Sequence, residues 1–456
     1  MVIKFRQIIG LALLLPSFVM ANVSEYQLNN GLKLIVKEDH RAPVVVSQVW
    51  YKVGSSYEHN GITGVSHMLE HMMFKGTENL GPNEFSQIIA ANGGRENAFT
   101  GQDYTAYFQT LEKDRLAISF KLEAERMRKL IIDNAELVKE RDVVVEERRM
   151  RTEDKPHALL REAFNATAFV NSPYHHPVIG WMSDINNYQA IDLQQWYQKW
   201  YAPNNAAVVV VGDVDADEVY ALAKQYFGPL KPEITAQLKP QIEVEQKGKR
   251  TIEIHAPAKL PYMMMGWKVP VVNTLTDEPE WEPYALEVLA GILDGGNSTR
   301  FARDLVRGSE IAAGVSAGYD LFSRLAGLFL IAGTPVKGKT VADLQQAVIT
   351  QIDLLKTELV TEQELKRIKV QVVTSAVYER DSVFYQGMQI GMLETVGLDW
   401  RLSDAYVENV QAVTMQQVQA VAKKYFVDRG LTIAELIPMP FGDQKVTMPV
   451  GEEYGH

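Results

Sequence analysis

The strongest constraint on the fold of this chain is a weak echo between its two ends. In the first half Leu193-Gln-Gln-Trp-Tyr-Gln-Lys-Trp-Tyr201 has helical periodicity, Pro203-Asn204-Asn205 breaks it, and Ala206 to Val211 reads as a strand ending at Gly212-Asp213. Near the C-terminus the order returns, with a helical pattern from Met415 to Phe426, a turn at Asp428-Arg429-Gly430 and a strand from Leu431 to Ile437. The strand patterns Leu32 to Lys37 and Val44 to Val53 likewise have counterparts in Thr251 to Ile254 and Tyr262 to Val269. A repeat of roughly two hundred residues implies two copies of one architecture. Strands and helices mix without regular βαβ alternation, so the expectation is α+β halves and not a doubly wound parallel sheet. The 456 residues also exceed what one core usually supports. Pro229 to Gly248 is rich in Pro, Lys, Gln and Glu and lacks sustained periodicity. It reads as a linker (229–248) between an N-terminal half (22–228) and a C-terminal half (249–456).

The start of the chain reads as an address. Lys4 and Arg6 precede an apolar run from Ile8 to Met20, and Val19-Met20-Ala21 suits a signal peptidase. Residues 1–21 are therefore expected to be a signal peptide cleaved after Ala21, which places the protein in the periplasm. The apolar run is shorter than the ~20 residues of a spanning helix, and nothing else in the sequence is long and apolar enough to insert stably in a membrane. With no cysteine, disulfides, thiolate metal sites and cysteine nucleophiles are excluded. There are 57 acidic and 46 basic residues, a formal charge of −11, which argues against a nucleic-acid partner. The basic run Arg148, Arg149, Arg151 reads as a solvated helix face.

Chemistry concentrates in Gly64-Val-Ser-His67-Met-Leu-Glu70-His71-Met-Met-Phe74. Val65, Met68, Leu69, Met72 and Met73 form an apolar stripe, so the segment is expected to be a helix. His67 and His71 are four residues apart and share a face one turn apart, so both imidazoles can reach one cation. Glu70 stands between them, close enough to act on water at such a centre. This is the inverted zinc motif H-x-x-E-H. Two histidines and one carboxylate would leave a tetrahedral position open, as catalytic zinc requires. The helical pattern from Asn134 to Arg148 offers the carboxylates. At about 100° per residue Glu147 shares a face with Glu140 while Glu146 points away. Phase prefers Glu147 as ligand, with Glu140 one or two turns away in support.

These residues resemble the pitrilysin-type (inverzincin) zinc metallopeptidases, and within them the shorter bacterial branch related to mitochondrial processing peptidase. Besides H-x-x-E-H and the stretch Glu140-Arg-Asp-Val-Val-Val-Glu146-Glu147, the likeness includes Asn97-Ala98-Phe99-Thr100 with Asp103 and Tyr107, Glu123-Ala-Glu-Arg-Met127, and Tyr201-Ala-Pro-Asn-Asn205. The resemblance implies a zinc endopeptidase acting on extended peptides, with one Zn²⁺ per chain on His67, His71 and Glu147. Glu70 would be its general base, with Glu140 completing the catalytic set. It implies two homologous halves, each a mainly antiparallel sheet packed with helices, that form a clam-like chamber. Asn97, Ala98 and Phe99 would lie on an edge strand that binds substrate. The second half, whose matching helix reads Leu286 to Leu293, would be inactive and would supply substrate contacts. There Arg307 matches an arginine of the family, but the tyrosine expected seven residues later falls on Gly314. That departure points to a companion: a homologous subunit in a heterodimer, or a second copy in a homodimer. The competing reading is a non-catalytic scaffold or assembly subunit of the same fold. His175-His176-Pro177 reads as packing or capping, and Met263-Met264-Met265 as strand core.

Overall fold

The computed structural model describes residues 23–234, 238–379 and 381–440, so the expected signal peptide lies outside the described residues. The first sheet contains β1 (Val23–Gln27), β2 (Lys33–Glu38), β3 (Val44–Tyr51), β4 (Arg95–Thr100), β5 (Thr105–Glu112) and β6 (Ala206–Gly212), in the order β1-β2-β6-β3-β5-β4. Its helices are α1 (Val65–Met72), α2 (Glu84–Ala91), α3 (Leu116–Lys129), α4 (Asn134–Arg148), α5 (Pro156–Ala168), α6 (Met182–Ile185), α7 (Ala190–Trp200) and α8 (Ala216–Tyr226). The second sheet contains β7 (Arg250–Pro257), β8 (Tyr262–Val269), β9 (Ala312–Gly318), β10 (Gly327–Pro335) and β11 (Leu431–Met439), in the order β7-β11-β8-β10-β9. With it come α9 (Glu282–Leu293), α10 (Val341–Thr357), α11 (Glu362–Glu379), α12 (Val383–Val396), α13 (Leu402–Ala412) and α14 (Met415–Tyr425).

The two orders superpose strand for strand once β1 is set aside. In both sheets one parallel pair, β2 with β6 and β7 with β11, sits in an otherwise antiparallel sheet. The echo in the sequence is thus an echo in topology. Between the sheets, Glu243 pins the connecting segment: it accepts from the backbone of Val170, Asn171 and Ser172 and pairs with Lys268 at 2.6 Å.

Each half buries one sheet face under its own helices. In the first, Leu34, Val36, Val45, Val49, Val208 and Val210 pack with Met68, Leu69, Phe120, Leu193 and Trp196. The opposite faces are covered by an exchange. Helix α5 leaves the first half and lies on β7, β8 and β11, where Leu160, Phe164 and Ala168 pack with Ala256, Met264, Ala434 and Leu436. Helix α12 leaves the second half and lies on β3 and β6, where Ile390 packs with Ile35, Trp50, Val209 and Val211. This explains why β6 is apolar at every position: a strand covered on both faces has no solvent side. It also accounts for the methionine run in β8, with Met263 and Met265 facing the second half's own core and Met264 facing α5.

The exchange demands close approach. A Cβ on Gly391 would stand 2.1 Å from the Trp50 ring, and one on Gly266 would stand 2.7 Å from Phe164. Burying a side chain such as Phe164 contributes about 1.5–3 kcal/mol, so each crossing helix ties the halves firmly. Among the described residues no helix is long and apolar enough to cross a membrane.

Candidate metal and catalytic site

Helix α1 begins at Gly64, whose φ of +83° turns the chain into the helix. There a side chain would meet the Ile179 carbonyl, 2.4 Å from a Cβ. Having no side chain, Gly64 leaves capping to Glu58, which is buried and accepts from the backbone N–H of Gly64 at 2.6 Å and of Ser66 at 2.8 Å. The apolar stripe Val65, Met68, Leu69 and Met72 faces the core, which turns His67, Glu70 and His71 toward a cavity of about 1750 Å³. Helix α4 supplies the facing side, started by Asp133, whose carboxylate accepts from Ala135 and Glu136.

The two helices bring three donor atoms together. Glu147 Oε2 stands 3.5 Å from His67 Nε2 and 3.4 Å from His71 Nε2. Donors about 2.0–2.1 Å from a tetrahedral zinc are ~3.4 Å from one another, so both separations are those of ligands to one ion. Glu147 Oε2 is also buried and lacks a hydrogen-bond partner. A buried carboxylate oxygen left bare between two imidazole nitrogens is what a bound cation would satisfy. These residues are a group fit to hold a metal ion. The other oxygen, Oε1, is held by Arg151 at 2.7 Å.

Glu140 lies behind this group. Its Oε2 accepts from His71 Nδ1 at 3.2 Å, while Oε1 pairs with Lys75 at 2.6 Å. The bond places the His71 proton on Nδ1 and leaves Nε2 free to ligate. Glu140 thus touches the donor group through His71, while its side chain also lines the cavity. Glu146 points away, toward Arg149. Burial, with His71 adding to it, holds the His67 imidazole down at about 4, in the neutral form that binds metals. Burial also opposes charge on His71, but the carboxylates of Glu140 and Glu147 outweigh it and lift the group to about 9. Burial raises the Glu70 carboxyl, against the pull of Thr100, which donates to Glu70 Oε2 at 2.5 Å, and of His71.

Asn97, Ala98, Phe99 and Thr100 line the same cavity as His67, Glu70, His71 and Glu147. They belong to β4, which among the described residues pairs only with β5 and so leaves one backbone edge open. The Ala98 N–H turns to Asn97 Oδ1 at 2.8 Å. The far wall of the cavity is built by the helix exchange, with His157 of α5 stacked on Tyr262 of β8 at 4.0 Å. Arg307 is not brought to this cavity: it is exposed and donates to the Asn297 carbonyl. Gly314 lies on exposed β9, with open space where a side chain would project. His176 packs against Asn60, its Nε2 3.1 Å from Asn60 Oδ1. Thr100 as a partner of Glu70, and Lys75 and Arg151 as partners of the two glutamates, escape sequence reasoning. Only the i+4 spacing of Arg151 from Glu147 signals such a contact.

Two sheets of this topology, one carrying a His-His-Glu group with a glutamate beside it, define an inverted-motif metallopeptidase architecture. Residues 33–180 match the family model described as "Insulinase (Peptidase family M16)", and residues 187–372 match "Peptidase M16 inactive domain". The chain belongs to this family, the insulinase or pitrilysin type. It is 33% identical over 428 residues to "Zinc protease PqqE" of Helicobacter pylori, covering 90% of this chain and 92% of that one. A crystal structure of a protease from Helicobacter pylori is similar with a TM-score of 0.85 and 31% identity, over 92% of this chain and all (100%) of that chain. The periplasmic protease PqqL from Escherichia coli shares the fold at a TM-score of 0.76 and 19% identity. This chain aligns over 91% of its own length with only 47% of PqqL.

Proposed function

We propose that this chain is a zinc endopeptidase of the periplasm that hydrolyses extended peptides or small unfolded segments, and that it is the metal-bearing member of a pair. The observation that carries the reading is the meeting of His67 Nε2, His71 Nε2 and Glu147 Oε2 beside the open edge of β4. One zinc per chain would be held by His67, His71 and Glu147, and would supply Lewis-acid polarisation of the scissile carbonyl and acidification of the attacking water. Glu70 takes the proton of that water and passes it to the leaving amine. Glu140 and Lys75 keep His71 oriented. The edge of β4 at Asn97, Ala98 and Phe99 adds the peptide as a further strand, which selects extended backbone over folded protein.

The N-terminal half (22–228) would carry the chemistry and the C-terminal half (249–456) the remaining substrate contacts, joined through 229–248. Within one chain those contacts are incomplete, since Arg307 stands off the cavity and Gly314 offers no side chain. A chain that spans about half of PqqL fits a companion, either a homologous subunit or a second copy, closing the chamber. Periplasmic placement is part of this proposal; the basic and apolar pattern of residues 4–20 supports it, and PqqL is itself a periplasmic protease.

The test is Glu70→Gln. Purified mature protein should retain its zinc yet lose chelator-sensitive cleavage of a mixed peptide library, whereas His67→Ala should lose the metal itself. Cleavage by Glu70→Gln at the wild-type rate would show the mechanism to be wrong.

A further inference from the structure

The strand that would receive substrate is bonded to the general base, and the turn that ends this strand is bonded to the second half of the chain. Thr100 closes β4 and donates to Glu70 Oε2 at 2.5 Å. Immediately beyond it the chain turns, with Gly101 N–H on the Tyr104 carbonyl at 2.8 Å. This turn is fixed from outside: Ser55 and Ser56 donate to the carbonyls of Gly101 and Gln102 at 3.2 and 2.7 Å. A Cβ on Gly54 would be 2.4 Å from the Gly101 carbonyl, so the two backbones meet with no room for a side chain.

Asp103, three residues after Thr100, is 4% exposed and is the hub of this region. Its carboxylate accepts from Ser56 Oγ at 2.6 Å and Tyr174 Oη at 2.5 Å. It also accepts from the backbone N–H and Nε of Arg324 at 3.1 and 3.3 Å. Arg324 lies between β9 and β10, and its guanidinium bonds Ser56 as well and sits over the Tyr57 ring at 4.3 Å. The Leu325 N–H donates to Tyr174 Oη at 3.0 Å. A buried carboxylate with four donors, two of them from the other half, fixes its backbone far more tightly than a solvated turn would be fixed.

We propose that Thr100 is the positioning residue for Glu70, and that the second half sets Thr100 in place through the Arg324–Asp103 contact. The inference rests on the peptidase reading of Glu70. A carboxylate free to rotate reaches the attacking water in only some of its rotamers. One oxygen held by a hydroxyl on a fixed strand restricts it, and such orientation is a recognised part of the rate. The half without a metal group thereby contributes to proton transfer through the β4–β5 turn and does more than shape the chamber.

The test compares Thr100→Val, which removes the hydroxyl at nearly constant volume, with Thr100→Ser, which keeps it. Thr100→Val should lose about ten-fold or more in kcat, the usual effect of a lost hydrogen bond to a charged group, with little change in KM. Thr100→Ser should recover most of this loss, and both should retain zinc like the wild type. In a double variant, Arg324→Gln should add little to the kcat loss already caused by Thr100→Val. Wild-type kcat in Thr100→Val, equal losses in the valine and serine variants, or fully multiplicative losses in the double variant would each overturn the proposal.

A readout independent of activity is the urea midpoint of the metal-free protein in a Thr100→Val and Glu70→Gln cycle. Non-additive midpoints are expected, and additive ones would remove the contact on which the proposal stands. If the wild type cleaves nothing even with a homologous partner protein or at concentrations where it self-associates, while the midpoints remain non-additive, the peptidase reading has failed and the contact has not.

Discussion

Glu58 offers a test of how the metal-bearing helix is held. Helix α1 has only eight residues and starts at a glycine, so its first N–H groups depend on the Glu58 carboxylate, which is 4% exposed. Glu58→Ala would leave the N–H groups of Gly64 and Ser66 without acceptors in dry surroundings. Each such group costs about 1–3 kcal/mol, and partial relief by water brings the expected total to about 3 kcal/mol. Because His67 lies in the first turn, part of that loss should appear as weaker metal binding, about ten-fold in zinc affinity for each 1.4 kcal/mol. Urea unfolding of the metal-free variant and zinc competition against a chelator measure the two effects.

The pH dependence has a definite sign. Burial pushes the Glu58 carboxyl up to about 7 from the ordinary 4.5, against the pull of the two N–H groups. Below 4.5 the group is protonated whether the chain is folded or not. Between 4.5 and about 7 the folded chain keeps a proton that the unfolded chain has released, so this contribution to stability falls as pH rises. The full window corresponds to about 3 kcal/mol. Glu58→Gln cannot titrate, so the stability of the wild type relative to this variant should decline from pH 4.5 to 7. A flat difference across that window, or a Glu58→Ala unfolding free energy within about 0.5 kcal/mol of wild type, would refute the reasoning.

Two further outcomes are expected. Gly391→Val would drive a side chain into Trp50 and lift α12 from the first sheet, costing about 1–3 kcal/mol in urea unfolding and making the α12 region more sensitive to limited proteolysis. An unchanged midpoint would mean that the helix does not pack as described. The isolated chain should be a poor peptidase that gains activity with a homologous partner protein or at concentrations where it self-associates; full activity from a monomer would remove the companion from the scheme.

Much of this architecture is legible in the sequence because its signals are periodic. Helical phase alone separates Glu147 from Glu146, and the structure places the former against both histidines and the latter away from them. The recurring helix-turn-strand passage anticipates the matched sheets. Contacts that depend on which surface a helix or loop meets leave no such signal. Helix α5 is not among the segments picked out from the sequence, and nothing in its residues says that Phe164 covers the other half's sheet. Asp103 and Arg324 are separated by 221 residues and meet through the packing of the two halves. Thr100 reads as any β-branched strand residue, and only the fold brings its hydroxyl to Glu70.

The crossing of α5 and α12 has a consequence for how this chain can be divided. A protease cut or an engineered break between 229 and 248 would yield two fragments, each gripping the other by an embedded helix, so the nicked molecule should stay whole. Either fragment produced alone would present a bare apolar sheet and a stranded helix, a surface prone to aggregation. Covalent continuity is dispensable here in a way that co-residence of the two pieces is not.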